Sequence, residues 1–108
     1  MKKLIALFLL FILLSCTSSR PSDAQIIRDA RAYFYEICRE TGTLNLTYKG
    51  VPLYLAIDDI PMKVLRVERD PYEKDMVTAV VENGAIPGIP IVLIYQKTPY
   101  GWKLKYAR

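Results

Sequence analysis

Residues 22–42, SDAQIIRDARAYFYEICRETG, carry the clearest helix pattern in this 108-residue chain. Ser22 and Gln25 have the spacing of a capping box, in which each side chain satisfies a free backbone N–H of the first turn. Gly42 stands where a glycine commonly ends a helix. Between these residues, apolar side chains recur every three or four positions, at Ile26, Ile27, Ala30, Tyr33, Phe34, Ile37, Cys38 and Thr41. The pattern predicts one amphipathic helix over residues 23–41, whose apolar stripe must be buried against another element.

The rest of the chain after this helix has the pattern of strands and turns. Residues 89–97 are apolar on both faces, which favours a central strand, whereas Pro52 restricts its segment to an edge or an irregular stretch. Residues 83–88 are expected to form a longer loop. In the last strand, Trp102, Leu104 and Tyr106 are expected to face the core. The predicted strands span residues 44–48, 51–57, 63–69, 75–82, 89–97 and 102–106.

A helix followed by an antiparallel meander predicts an α+β fold. We expect one N-terminal helix packed on a curved antiparallel sheet of about four to six strands. The final pair of segments, residues 91–97 and 101–106, resembles the closing hairpin of cystatin-like and nuclear-transport-factor-like domains, in which a Trp-Lys-apolar strand ends the chain. The resemblance implies the fold and carries no function with it.

The N-terminus has the pattern of an export signal. Lys2 and Lys3 precede residues 4–14, an apolar segment of about eleven residues that is too short to span a bilayer core of about 30 Å. The sequence Leu13-Leu14-Ser15-Cys16 resembles the lipobox of bacterial lipoproteins. The resemblance implies that residues 1–15 are a signal peptide and that Cys16 becomes the lipidated first residue of the mature protein. An ordinary secretory signal and a single-pass anchor are the alternatives.

The lipobox also implies a location. Residues 16–21 then form a lipidated tether that spans at most about 17–20 Å when extended, and residues 22–108 form a single domain held near the membrane. Thr17 follows Cys16 where inner-membrane lipoproteins of enteric-type bacteria typically have aspartate. The expected location is therefore the cell envelope, in the outer membrane rather than the inner one if the organism has two.

Composition narrows the chemistry that this chain can perform. It contains no histidine and only two cysteines, which removes the commonest general base, the commonest metal ligand and an internal disulfide framework. The net charge of +4 falls to about +2 once Lys2 and Lys3 are removed. The remaining charge is only weak evidence for a nucleic-acid partner. We therefore predict no catalytic residues, no metal site, no cofactor and no nucleic-acid partner.

Two groups of reactive side chains have structural interpretations. Cys38 lies on the apolar stripe and is expected to be a buried core residue, with an intermolecular disulfide as the alternative. Asp58 and Asp59 directly precede Ile60-Pro61, where aspartate commonly forms turns. Glu82 is the acidic residue that could join them in acid–base chemistry or in binding a divalent ion. This set is a poor metal site because it lacks a third ligand at useful spacing.

The outer face of the helix offers a candidate binding surface. Arg28, Arg31, Tyr35 and Arg39 follow one another by three, four and four residues, and together they form what we call the arginine ridge. Arginine and tyrosine are enriched at binding hot spots. Alternatively, the arginine ridge rests on anionic lipid headgroups, or is a solvated face with local pairs such as Glu36 with Arg39.

Two function classes follow from these features. The favoured one is a non-enzymatic envelope lipoprotein that acts as a docking, accessory or inhibitor module at a membrane surface. The alternative is a small-molecule-binding or enzymatic cystatin-like domain with a pocket between helix and sheet. Five tyrosines are candidates to line such a pocket: Tyr33, Tyr48, Tyr54, Tyr95 and Tyr106.

Replacing Cys16 with alanine tests the lipid anchor. Because the acyl chains attach through the Cys16 thiol, the Cys16→Ala protein is expected to lose all labelling by a palmitate analogue and to accumulate as uncleaved precursor or unanchored protein. Two or more chains make membrane attachment durable, whereas one gives only marginal binding. Undiminished labelling of the Cys16→Ala protein would contradict the lipoprotein interpretation.

Overall fold

A computed structural model describes residues 20–108, so the predicted signal peptide and Cys16 lie outside the described residues. The predicted helix is confirmed as α1, Asp23–Glu40. Ser22 caps it, because its hydroxyl oxygen accepts a hydrogen bond from the Gln25 backbone N–H at 3.1 Å. At the other end, the Thr43 backbone N–H donates to the Cys38 carbonyl at 2.9 Å, next to Gly42 with its positive φ of 71°. The Ser22 half of the predicted capping box and the glycine at the helix end are therefore present, whereas the Gln25 side-chain amide donates to the Trp102 carbonyl.

The α+β fold class is confirmed: α1 packs on a four-stranded antiparallel sheet, and a separate two-stranded sheet lies between them in the chain. After α1, the elements are β1 Thr47–Tyr48, β2 Val51–Pro52, α2 Leu53–Ala56, a 3-10 turn Ile57–Asp59, β3 Met62–Arg69, β4 Met76–Asn83, β5 Ile86–Thr98 and β6 Gly101–Ala107. The large sheet has the order β3-β4-β5-β6, so β5 has a neighbour on each side, as its apolar sequence predicted.

The predicted strands before β3 were mostly wrong. Only Thr47–Tyr48 and Val51–Pro52 are extended, and they pair across a Lys49-Gly50 turn in which both residues have positive φ. The chain then becomes helical at Leu53–Ala56. Leu53 and Ala56 are both buried, and their spacing of three residues suits one helical turn rather than a strand.

The predicted loop at residues 83–88 is a two-residue turn instead. Asn83 pairs with Ile86, and the Asn83 side-chain oxygen accepts a hydrogen bond from the Ala85 backbone N–H at 2.9 Å. The Asn83 side chain thereby satisfies the backbone N–H of Ala85, which in a longer loop would bond to water.

A β-bulge changes which way the last strand faces. Tyr95 pairs with Leu104 and Ile94 pairs with Tyr106, so Lys105 is an extra residue on β6. Trp102 and Leu104 pack against the core as predicted, but the bulge moves Tyr106 to the opposite face and brings Ala107 inward.

The core lies between α1 and one face of the sheet. Four helix residues, Ile26, Ala30, Phe34 and Cys38, are buried against sheet residues that include Leu93. Cys38 is a buried free thiol, which confirms its predicted core position. At about 25 cal/mol per Å² of apolar surface removed from water, this contact is the main source of tertiary stability.

One polar contact joins α1 to the centre of the sheet. The fully buried Tyr95 donates its hydroxyl to the Asp29 Oδ2 atom at 2.8 Å. Two causes raise the pKa of Tyr95 well above its ordinary value: burial, which is the larger, and the hydrogen bond to the Asp29 carboxylate. The phenol therefore stays neutral.

The sheet has two distinct ends. The β3–β4 turn, residues 70–75, and the β5–β6 turn, residues 98–101, lie side by side, and the Lys97 backbone N–H donates to the Asp75 carbonyl at 2.7 Å. We call this the two-hairpin end. The α1 helix begins there, since the Gln25 side-chain amide donates to the Trp102 carbonyl at 2.8 Å. It runs toward the β4–β5 turn, where Phe34 lines a small pocket with Ile86.

Replacing Gly84 with alanine is expected to lower the free energy of unfolding by about 1–3 kcal/mol, a typical cost of overpacking. A Cβ atom at Gly84 would lie 2.8 Å from the Pro61 carbonyl oxygen, which the Gly84 N–H already binds. Gly88→Ala is the matched control, because a Cβ there meets nothing within 4 Å. Urea denaturation measures both, and equal stabilities of the two variants would contradict the close approach of Pro61.

Candidate functional site

An open groove runs along the flank of α1, beside the 3-10 turn that precedes β3. Its volume is about 620 Å³. Three of the four residues of the arginine ridge line it. Its lining residues are Ala24, Ile27, Arg28, Arg31, Ala32, Tyr35, Glu36, Ile57 and Asp58. We call it the α1 groove.

Arg31 forms a fixed part of the groove wall. Its Nη1 atom donates to two carbonyl oxygens, that of Ile57 at 3.0 Å and that of Ile60 at 2.6 Å. These bonds hold the segment before β3 against the helix. Both use Nη1, so the guanidinium keeps three N–H donors on Nε and Nη2 that no described hydrogen bond uses.

This role makes Arg31 structural as well as a candidate contact. The sequence interpretation treated it as a surface residue, but Arg31 is only half exposed and Ile60 is fully buried. Removing the guanidinium would leave two carbonyl oxygens without their partner, at a cost of about 1–3 kcal/mol. A substitution of Arg31 would therefore change both partner binding and the free energy of unfolding, and the two effects could not be separated.

Arg28 and Tyr35 are the exposed members of the arginine ridge within the groove. The Arg28 side chain is 73% exposed, and its Nε atom lies 3.8 Å from the Asp29 Oδ1 atom. Tyr35 is 37% exposed. Unlike Arg31, neither residue donates a hydrogen bond to the segment before β3, so a partner can contact both without disturbing the fold.

Arg39 lies outside the α1 groove and pairs locally. Its Nε and Nη2 atoms donate to both carboxylate oxygens of Glu36, at distances of 2.7 to 3.1 Å. The hydrogen bond from Arg39 holds the pKa of Glu36 below its usual value. The expected Glu36–Arg39 pair is therefore present, and it compensates the charge of Glu36 at the groove rim.

The floor of the groove is apolar. Ile27 and Ile57 are half-buried, and the small side chains of Ala24 and Ala32 leave room above the helix backbone. An apolar floor beside two guanidinium groups suits a ligand segment with one apolar side chain and one carboxylate, which arginine binds through paired N–H donors. Asp58 adds an acidic group on the far wall.

The five tyrosines proposed for a helix–sheet pocket do not converge. Tyr95 is buried against Asp29, whereas Tyr54 and Tyr106 are exposed. Tyr33 lines a pocket of about 190 Å³ at the β4–β5 turn, below the roughly 300 Å³ from which small-molecule pockets begin.

The acidic residues considered from sequence are also separated. Asp58 and Asp59 lie on the 3-10 turn, while Glu82 pairs across β3 and β4 with Lys63. Within residues 20–108, no three side chains of the metal-binding types come together as a possible site. In the same part of the chain, no helix combines the length and the apolar character needed to cross a membrane.

Sequence reasoning found one wall of the groove and missed the other. The ridge spacing identifies Arg28, Arg31 and Tyr35, but the sequence pattern places Ile57 at the end of a strand and Asp58 in a turn. Tertiary contacts, namely the hydrogen bonds from Arg31 and the packing of Ile57 against the core, bring these two residues beside α1.

Comparisons with known proteins do not assign this chain to a family. A scan against models of protein families, a search of curated proteins and a search of solved structures each gave no match to this chain. The function therefore has to be argued from the residues.

Proposed function

We propose that this chain is a lipid-anchored protein of the cell envelope whose domain docks a partner protein through the α1 groove. The lipobox at Leu13–Cys16 supports the anchor. The observation that carries the docking function is the groove itself, in which Arg28, Arg31 and Tyr35 surround an apolar floor. This combination of aromatic and arginine side chains is typical of binding hot spots.

The chemistry of the groove favours a particular kind of partner segment. An apolar side chain fits against Ile27 and Ile57, and a neighbouring carboxylate reaches Arg28 and the unused N–H donors of Arg31. Because Arg31 is already held by two carbonyls, little side-chain entropy is lost when it binds. The groove is thus preorganised for a segment with an acidic and an apolar residue.

The packing between helix and sheet favours a docking role over an enzymatic one. The space between helix and sheet is filled by buried side chains that include Ile26, Phe34 and Leu93. The larger groove is open, and Arg31 in its wall donates hydrogen bonds to the carbonyl oxygens of Ile57 and Ile60. Open grooves with arginine and tyrosine on the rim suit protein partners.

Site-specific crosslinking in the native host tests this function. With the photoreactive residue p-benzoylphenylalanine in place of Tyr35, illumination of intact cells is expected to give one adduct of defined mass. Adding Arg28→Glu is expected to reduce that adduct about tenfold, since truncating a hot-spot residue commonly costs more than 1 kcal/mol.

The matched control is Lys105→Glu, the same kind of charge reversal at an exposed position on β6. It should leave the Tyr35 adduct unchanged. Arg28→Glu should also leave the melting temperature within a few degrees, because an exposed ion pair contributes only about 0–1 kcal/mol. Absence of any adduct at Tyr35, or equal loss in both variants, would contradict docking at the α1 groove.

A further inference from the structure

Two tyrosines at the two-hairpin end are almost completely exposed. Tyr72 in the β3–β4 turn is 93% exposed, and Tyr100 in the β5–β6 turn is 99% exposed. The remaining six tyrosines of the chain are all half-exposed or buried. One exposed ring is common on a protein surface, but two rings on neighbouring turns at one end of the sheet form an aromatic patch that suits a contact outside the domain.

Both tips are held in place by their own turns. The Asp70 Oδ1 atom accepts hydrogen bonds from the backbone N–H groups of Tyr72 at 2.8 Å and Glu73 at 2.9 Å. The Thr98 hydroxyl donates to the Gly101 carbonyl at 2.8 Å and accepts from the Tyr100 N–H at 3.2 Å. Because these bonds fix the turns, the two rings are presented from fixed backbone positions.

The predicted tether emerges at the same end of the sheet. Gln25, in the first turn of α1, is bonded to the Trp102 carbonyl, and Trp102 is only two residues beyond Tyr100. Cys16 precedes Pro21 by five residues, which span at most about 17–20 Å. A lipid on Cys16 therefore brings the membrane surface within reach of Tyr72 and Tyr100.

The charges around the tips are nearly balanced, which indicates how the contact is made. Exposed basic and acidic side chains alternate there, and the Asp70 carboxylate is occupied by the turn amides. The charged residues of the two turns and the adjoining strand ends are Arg69, Asp70, Glu73, Lys74, Asp75, Lys97 and Lys103, and the ion-paired Arg20 and Asp23 lie at the start of α1. Tyrosine side chains favour the headgroup layer because the ring is apolar and the hydroxyl stays hydrated.

We propose that Tyr72 and Tyr100 seat the two-hairpin end in the headgroup layer of the membrane that holds the lipid of Cys16. This inference rests on the lipid anchor of the proposed function and adds the orientation of the domain. The α1 helix then runs away from the bilayer, so the α1 groove faces sideways and is accessible to a protein partner. The β4–β5 turn lies at the end farthest from the membrane.

Crosslinking to lipid tests the orientation directly. The full-length protein is purified in its processed form and reconstituted into phosphatidylcholine vesicles, with p-benzoylphenylalanine in place of Tyr72, Tyr100 or Ile89. Ile89 is the control, because it is 67% exposed and follows the β4–β5 turn at the opposite end. After illumination, mass spectrometry is expected to detect a phospholipid adduct at positions 72 and 100 and none at position 89.

The same spectra separate the possible failures. A protein without acyl chains on Cys16 would overturn the anchor of the proposed function. An acylated protein with no adducts at positions 72 and 100, or with equal adducts at all three positions, would overturn the orientation alone. Adducts that require phosphatidylglycerol in the vesicles would also overturn it, since basic side chains rather than the tyrosines would then make the contact.

Discussion

The contact between Asp29 and Tyr95 is the constraint on which the rest of the structure depends. Tyr95 lies on β5, inside the large sheet, and its hydroxyl is buried where water cannot satisfy it. Asp29 supplies the acceptor from α1 at 2.8 Å. The hydrophobic effect is non-directional, whereas this hydrogen bond is satisfied at only one rotation and one axial position of α1.

That placement of α1 determines both proposed surfaces. With Asp29 facing the sheet, Arg28 and Tyr35 lie on the flank of the helix, and Arg31 meets the carbonyls of Ile57 and Ile60 to form the α1 groove. The axial position sets the start of the helix beside Trp102 and hence the tether at the two-hairpin end. Docking and membrane orientation are therefore two consequences of one packing arrangement.

The sequence predicted the features that local patterns specify. The capping box, the apolar stripe and Gly42 placed the end of α1 within a residue of its observed position, and alternation found the segments that became β3 to β6. Their order followed because short turns join them as consecutive hairpins. The ridge spacing likewise identified the residues of one groove wall, because helical periodicity determines which side chains share a face.

Features that depend on contacts between distant segments could not be predicted from local sequence patterns. The bulge at Lys105 reverses Tyr106 because of strand pairing, and no local signal marks it. Leu53 and Ala56 become helical because the core accepts both, despite the strand-like sequence around Pro52. Arg31 had the spacing of a surface residue, and only its distance from Ile60 in the folded chain reveals its structural role. The identity of the docking partner depends on chemistry outside the chain.

A double-mutant cycle between Asp29 and Tyr95 tests the placement of α1 most directly. The free energy of unfolding would be measured by urea denaturation at neutral pH for the wild type, Asp29→Ala, Tyr95→Phe and the double variant. The expected coupling energy is about 1.5–3 kcal/mol, the range of a hydrogen bond to a charged group. A coupling energy near zero would show that the two side chains do not meet, and the positions of the α1 groove and the tether, which depend on that contact, would then be wrong.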